Sequence, residues 1–234
     1  MNDIIDIHQD ILKAYKKRES KGAADFFAYR NEAHMCRVQE RHLETLRLLL
    51  KHRFHPLTDL KILDVGGGDG NMLRQFMQWG ASPENLSGVE LRSQPVEYAN
   101  HLNPNIDFRC GSAIELPWAD KSFDLVCQHT VFTSMPDSKM KRQAASEMSR
   151  VLRKGGAISW YDFLYSNPQN PDVKGVNDAE IHTLFPGFKI HLKRITLAPP
   201  IARRLPNLFL PVLYNLLASI PFLRTHYLGL FVKV

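Results

Sequence analysis

The chain has no run of about 18 consecutive apolar residues, the length that a bilayer-spanning helix needs, so no spanning segment is expected. Cysteine is scarce. Cys36, Cys110 and Cys127 are odd in number and form no Cys-x-x-Cys pair. A disulfide framework and a structural zinc site are therefore not expected, no metal is assigned, and a reducing, cytoplasmic setting follows. The opening Met-Asn-Asp-Ile-Ile-Asp lacks the basic-then-apolar order of a secretory signal. No basic run is interleaved with aromatics, and zinc-finger and RNA-binding signatures are missing. Nucleic acid is thus not favoured as a partner, and the formal charge of +6 reads first as a mildly basic, solvated surface. What is present, 234 residues that are 44% hydrophobic, suffices for one globular domain with a sizeable core.

The organising stretch is Lys61 to Asn71, Lys-Ile-Leu-Asp-Val-Gly-Gly-Gly-Asp-Gly-Asn. Ile62, Leu63 and Val65 suit a strand buried on both faces. Gly66, Gly67, Gly68 and Gly70 follow, broken only by Asp69. Met72, Leu73, Phe76 and Met77 then lie on one face of a helix. Strand, glycine turn and helix form a nucleotide-binding opening of an α/β sheet, because glycines allow a sharp turn and a close ligand approach. Two ligands are disfavoured by what is missing. Position 71 is Asn where a dinucleotide fingerprint has its third glycine, and no Lys follows Gly70 as a P-loop requires.

Asp64-x-Gly66-x-Gly68-x-Gly70 is similar to motif I of the class I S-adenosylmethionine-dependent methyltransferases. Three further stretches carry the resemblance. Leu86 to Glu90 reads as a second strand ending in an acid, placed to accept hydrogen bonds from ribose hydroxyls. Pro117 and the run Phe123, Asp124, Leu125, Val126 resemble the Methyltransf_11 branch, and so does Glu147-Met-Ser-Arg-Val-Leu-Arg-Lys-Gly-Gly156. Gly155 and Gly156 are expected to turn the chain out of the helix.

The resemblance implies a Rossmann-like seven-stranded sheet of order 3-2-1-4-5-7-6 with helices on both faces. It also implies S-adenosylmethionine as cofactor and S-adenosylhomocysteine as product. The cofactor residues it implies are Asp64, Gly66, Gly67, Gly68, Asp69, Glu90, Leu91, Ser112, Ala113 and Gln128. Ser112 stands where the family carries an Asp, which leaves a neutral acceptor for the adenine amine.

A single domain is expected over 1–234. Helices over 1–55 cap the cleft, 56–165 hold the cofactor, and 166–234 supply substrate-side loops, a lid helix and the last two strands. Arg37, Glu40, Arg41 and Glu44 read as a solvated face paired at i, i+4. Leu208 to Leu223, an apolar helical insertion between strands six and seven, is apolar on every side. Such a helix is buried in protein or touches lipid; a buried lid over the cleft is the first reading, and peripheral contact of 203–224 with the inner face of a membrane is the second.

Substrate contacts are expected from Tyr161, Asn167, Arg194, Arg203 and Arg224. His129, at the end of strand four, is the first candidate for a general base, ahead of Asp162 and His226. The reaction expected is methyl transfer to an oxygen of a small-molecule, glycan or lipid-linked acceptor in polysaccharide or natural-product biosynthesis. A cofactor-binding, non-catalytic partner protein is the alternative. RNA or protein methylation is a third reading. Gln128-His-Thr-Val-Phe132 lacks the Asn/Asp-Pro-Pro-Tyr/Phe of enzymes that methylate base amines.

Overall fold

The computed structural model describes residues 9, 11–13, 15–16, 30–135, 137–166 and 173–234. Seven strands form one sheet of order β3-β2-β1-β4-β5-β7-β6. They are β1 (Ile62–Val65), β2 (Leu86–Glu90), β3 (Asp107–Cys110), β4 (Phe123–His129), β5 (Leu152–Phe163), β6 (Phe188–Leu197) and β7 (Arg224–Lys233). The pairs from β3 to β5 are parallel, and β7 runs antiparallel to both β5 and β6. This is the sheet the motif order implies.

The central strands read as apolar runs because helices cover both faces of a parallel sheet. Ile62, Leu63 and Val65 are fully buried. On one face lie α1 (Glu32–Lys51), which crosses β6 and β7, and α2 (Asn71–Gln78) and α3 (Ser93–Leu102), which pack Leu73, Phe76 and Val96 around β1 and β2. On the other face lie α4 (Ser138–Val151) and α5 (Asp178–Leu184). There Trp160 packs between Phe132 and Phe231, with ring centroids at 4.8 and 5.5 Å. Side-chain caps fix the helix starts: Asn31 accepts from His34 N at 3.1 Å, Asp137 from Lys139 N at 2.6 Å and Asn177 from Glu180 N at 2.9 Å. Each such cap is worth about 1 kcal/mol.

Three expectations need correction. First, α4 does not end on a glycine turn. Leu152 is already extended, at φ −82° and ψ 130°, and pairs with Phe123. Gly155, with φ +77°, instead lets the chain bulge before Ala157 pairs with Leu125. Second, the charged face of α1 points inward. Glu40 accepts from Tyr214 Oη at 2.8 Å and Thr196 N at 3.3 Å, while Glu44 pairs with Lys193. Third, 208–223 is no continuous buried helix. It is a 3-10 turn, then α7 (Leu210–Ala218), then a 3-10 turn at Pro221–Leu223; α6 (Pro199–Ala202) precedes it. Only one stripe of α7 is buried, Leu210, Tyr214 and Ala218 at i, i+4 and i+8. Most of the first expected helix, near Ile4 to Leu12, lies outside the described residues.

Candidate functional site

The carboxyl ends of β1, β2 and β4 open into a cavity of about 1670 Å³. In an open parallel sheet this edge is where ligands bind. A smaller cavity of about 420 Å³ lies by Leu60 and Lys189, at the other end of the strands.

The glycine turn makes the floor. Gly66 N and Gly67 N donate to Val89 O at 2.8 and 3.1 Å, folding the turn back over β2. Gly66 and Gly68 have φ of +69° and +57°, which L side chains adopt only at a cost. A Cβ on Gly66 would stand 2.5 Å from Val131 Cγ2, whereas one on Gly68 would meet nothing within 4 Å. Gly68 therefore presents bare backbone to the cavity. Gly67 does not; its Cβ would point at Asp64 Oδ2, 2.9 Å away.

Glu90 is buried at the end of β2 and lines this floor. Its Oε2 accepts from Gly68 N at 3.1 Å, and its Oε1 accepts from Arg92 N at 3.1 Å and Arg92 Nε at 2.8 Å. A carboxylate offers about four lone-pair sites, so roughly one stays open while Arg92 is in place. Asp69 lines the cavity and ties down the start of α2, accepting from Asn71 Nδ2 at 2.6 Å. Leu91, Ser112 and Ala113 complete the floor. An acid at the end of β2, open backbone at Gly68 and a polar Ser112 fit a ribose-bearing ligand.

Asp64 and Gln128 are not at the cavity wall. Asp64 is buried beneath it, with Oδ1 3.7 Å from His129 Nδ1, longer than a hydrogen bond. Gln128 points into the protein, where its Oε1 accepts from Val131 N at 3.1 Å.

The opposite wall is cationic. Residues of α1 reach in, including His34, Arg37, Arg41 and His42, and Arg203 and Arg204 close the roof behind α6. This roof, rather than α7, covers the cleft. Arg41 lies 5.3 Å from the Tyr161 ring centroid, and its buried Nε has no hydrogen-bond partner among the described residues. Burial pulls its pKa below the ordinary guanidinium value. Burial, with the neighbouring arginines, drives His34 and His42 down to about 4. Their imidazoles are neutral at pH 7, so arginine carries the positive charge of this wall.

Among the proposed bases, His129 lines the cavity, with its Nε2 buried and without a partner among the described residues and its pKa lowered by burial. His226 also lines it. It stacks on Tyr161 at 4.7 Å with an interplanar angle of 8°, and burial holds it well below the usual imidazole range. Asp162 does not line it. Its carboxylate accepts from Thr133 Oγ1 at 2.6 Å, Phe132 N at 3.1 Å and Thr133 N at 3.3 Å, pinning the turn after β4. Burial lifts its pKa to about 6 against those donors.

Of the expected substrate residues, Tyr161 and Arg203 line the cavity. Tyr161 meets Thr196 Oγ1 at 3.0 Å. Arg194 is exposed on edge strand β6, 5.9 Å from the Tyr227 ring centroid. Arg224 donates to the carbonyls of Ala218, Ser219 and Arg194, closing the end of α7. Neither reaches the cavity. Asn167 lies outside the described residues. Arg204, which neighbours Arg203 in the same basic pair, lines the cavity with it. Sequence reasoning missed His34 as a lining residue and placed Arg41 on a solvated face.

Residues 63–159 match a family described as "Methyltransferase domain" (Methyltransf_11). The chain is 32% identical over 133 residues, 53% of its length, to a ubiquinone/menaquinone biosynthesis C-methyltransferase, UbiE, of Hahella chejuensis. It is 30% identical over 149 residues, 61% of its length, to the O-methyltransferase rstn1 of Aspergillus nomiae. It spans 51% and 62% of those proteins' own lengths. Among solved structures, a putative sarcosine dimethylglycine methyltransferase from Galdieria sulphuraria superposes with a TM-score of 0.61 at 17% identity, covering 82% of this chain and 84% of that one.

Proposed function

We propose, for a chain whose residues 63–159 match the Methyltransf_11 methyltransferase-domain family, that it transfers the methyl group of S-adenosylmethionine to an oxygen of a small-molecule, glycan or lipid-linked acceptor. The observation that carries this reading is the Glu90 carboxylate at the cavity floor, bonded to the Gly68 N–H beside an open glycine backbone. Glu90, Gly68 and Ser112 would hold the adenosine part, and the glycine turn above the buried Asp64 would face the amino-acid part.

The sulfonium of the bound cofactor supplies an already activated methyl group. The chain's own residues then have to orient an acceptor, exclude water and take a proton. His129 is the proposed proton acceptor. Its Nε2 has no partner among the described residues, it lines the cavity, and burial keeps it neutral. Tyr161 and Arg41 form the wall against which the acceptor would lie. The relatives' names include both C- and O-methyltransferases; oxygen is preferred because a neutral base beside the cavity suits a hydroxyl acceptor.

Calorimetric titration with S-adenosylmethionine and S-adenosylhomocysteine tests the reading. Micromolar binding is expected, lost in Glu90→Ala and Gly68→Val. Lack of binding by the native chain would sink the enzymatic reading and leave a non-catalytic partner protein. A screen of hydroxylated glycans and lipids would then find the acceptor.

A further inference from the structure

Among the described residues no helix is long and apolar enough to cross a membrane. Yet the segment between β6 and β7 exposes large apolar side chains to an unusual degree. Leu208 is 83% exposed, Phe222 76%, Val212 69%, Leu216 63% and Phe209 58%. Single exposed apolar residues need no explanation, but five on one short segment mark an interaction surface.

This face is held out firmly. The buried stripe of α7 packs on α1 around Ala33 and Cys36. Tyr214 is tied to Glu40 at 2.8 Å, and the Arg224 guanidinium closes the carboxyl end of the helix. The helix cannot roll to bury Val212 or Leu216 without breaking those bonds.

Charge selects the occupant. From Ile181 to Val234 the sequence contains seven Lys and Arg and no Asp or Glu. Arg203 and Arg204, both exposed, immediately precede the apolar face. A short apolar face on an acid-free, basic segment is the pattern of an element that lies in the interfacial layer of an anionic bilayer.

We infer that the Leu208–Phe222 face is a foot that seats this protein on an anionic phospholipid surface. Arg203 and Arg204 meet the headgroups, and Phe209, Val212, Leu216 and Phe222 enter the acyl boundary. The same two arginines form part of the cavity roof, so the cleft opens beside the bilayer and is accessible to an amphiphilic acceptor. The foot itself does not depend on the methyl-transfer reading.

Flotation of the full chain with vesicles is the test. Binding is expected to vesicles of equal phosphatidylglycerol and phosphatidylcholine, weakening roughly ten-fold or more on pure phosphatidylcholine or in 0.5 M salt. The triple variant V212E/L216E/F222E should lose vesicle binding while its calorimetric titration with S-adenosylhomocysteine stays unchanged. Failure to float with the anionic vesicles, or equal flotation of the triple variant, would overturn the inference. So would a dimer in sedimentation equilibrium that this variant dissociates, since a second copy would then occupy the face. A failed cofactor titration with intact vesicle binding would strike only the enzymatic reading.

Discussion

Tyr214 donates its hydroxyl to Glu40 Oε2 at 2.8 Å, joining α7 to α1 across 174 positions of sequence. Glu40 also accepts from Thr196 N on β6, so one carboxylate fastens three elements around the cleft. A hydrogen bond to a charged group contributes about 1.5–3 kcal/mol. Tyr214→Phe keeps the ring packing and removes only the donor. Thermal unfolding of this variant should begin several degrees lower, at roughly 2–4 °C per kcal/mol for a chain of this size. An unchanged midpoint would mean that the bond does not help to fasten α7 to α1.

Arg41 gives a prediction of opposite sign. Its Nε is buried beside Tyr161 without a partner among the described residues. Burying an unpaired donor on a charged group is costly unless a ligand supplies the acceptor. Arg41→Met keeps most of the apolar stem and removes that cost. The ligand-free protein should therefore unfold at a higher temperature, by a few degrees. A lower midpoint would show that Arg41 supports the fold through Tyr161 and His42.

Much of the architecture was legible because the physics that builds it leaves marks along the chain. Buried parallel strands must be apolar runs, so Ile62 to Val65 and Leu86 to Val89 announced themselves. The glycine turn and Glu90 were readable for the same reason. Side-chain direction was not. Successive residues of a strand face opposite sides, so of each adjacent pair, Gln128 with His129 and Tyr161 with Asp162, only one reaches the cavity. Sequence alone does not say which. The inward face of α1 stayed hidden because Arg37, Glu40, Arg41 and Glu44 have the spacing of a solvated helix face, while the partners of Glu40 come from β6 and α7. The apolar insertion misled in the other direction. Apolarity all round suggested burial, but among the described residues α7 buries one stripe, Leu210, Tyr214 and Ala218.

The assignment of His129 as proton acceptor carries a pH signature. An imidazole accepts a proton only when neutral, and burial lowers the His129 pKa from its ordinary 6.5. Activity should hold its plateau below pH 6.5 and fall only as pH drops through that lowered value. His129→Ala should reduce turnover about 10²-fold or more, remove the acid limb, and leave S-adenosylhomocysteine affinity within about three-fold. Initial rates against pH, measured with the acceptor found by screening, check this. Near-native turnover in the variant would rule the role out.

Asp162 should write its burial into the stability curve. Its folded pKa of about 6 lies above the ordinary 3.8, with burial as the cause. Between those values the folded chain holds a proton that the unfolded chain releases. Its contribution is therefore present below about pH 4 and lost as pH rises to about 6, where it levels off. The full swing is on the order of 3 kcal/mol. Asp162→Asn is neutral throughout and lacks this slope, while every other titrating group is common to both proteins. The native chain should thus lose stability relative to Asp162→Asn between pH 4 and pH 6, and run parallel to it from pH 7 upward. Asn offers only one acceptor oxygen to Thr133 Oγ1, Phe132 N, Thr133 N and Phe163 N, so the variant is offset by a constant, but a constant does not alter the slope. Denaturant unfolding of both proteins at several pH values measures the difference. Parallel curves from pH 4 to pH 6 would mean that the four donors, Phe163 N among them, outweigh burial and that Asp162 is an ordinary ionised carboxylate pinning the turn after β4.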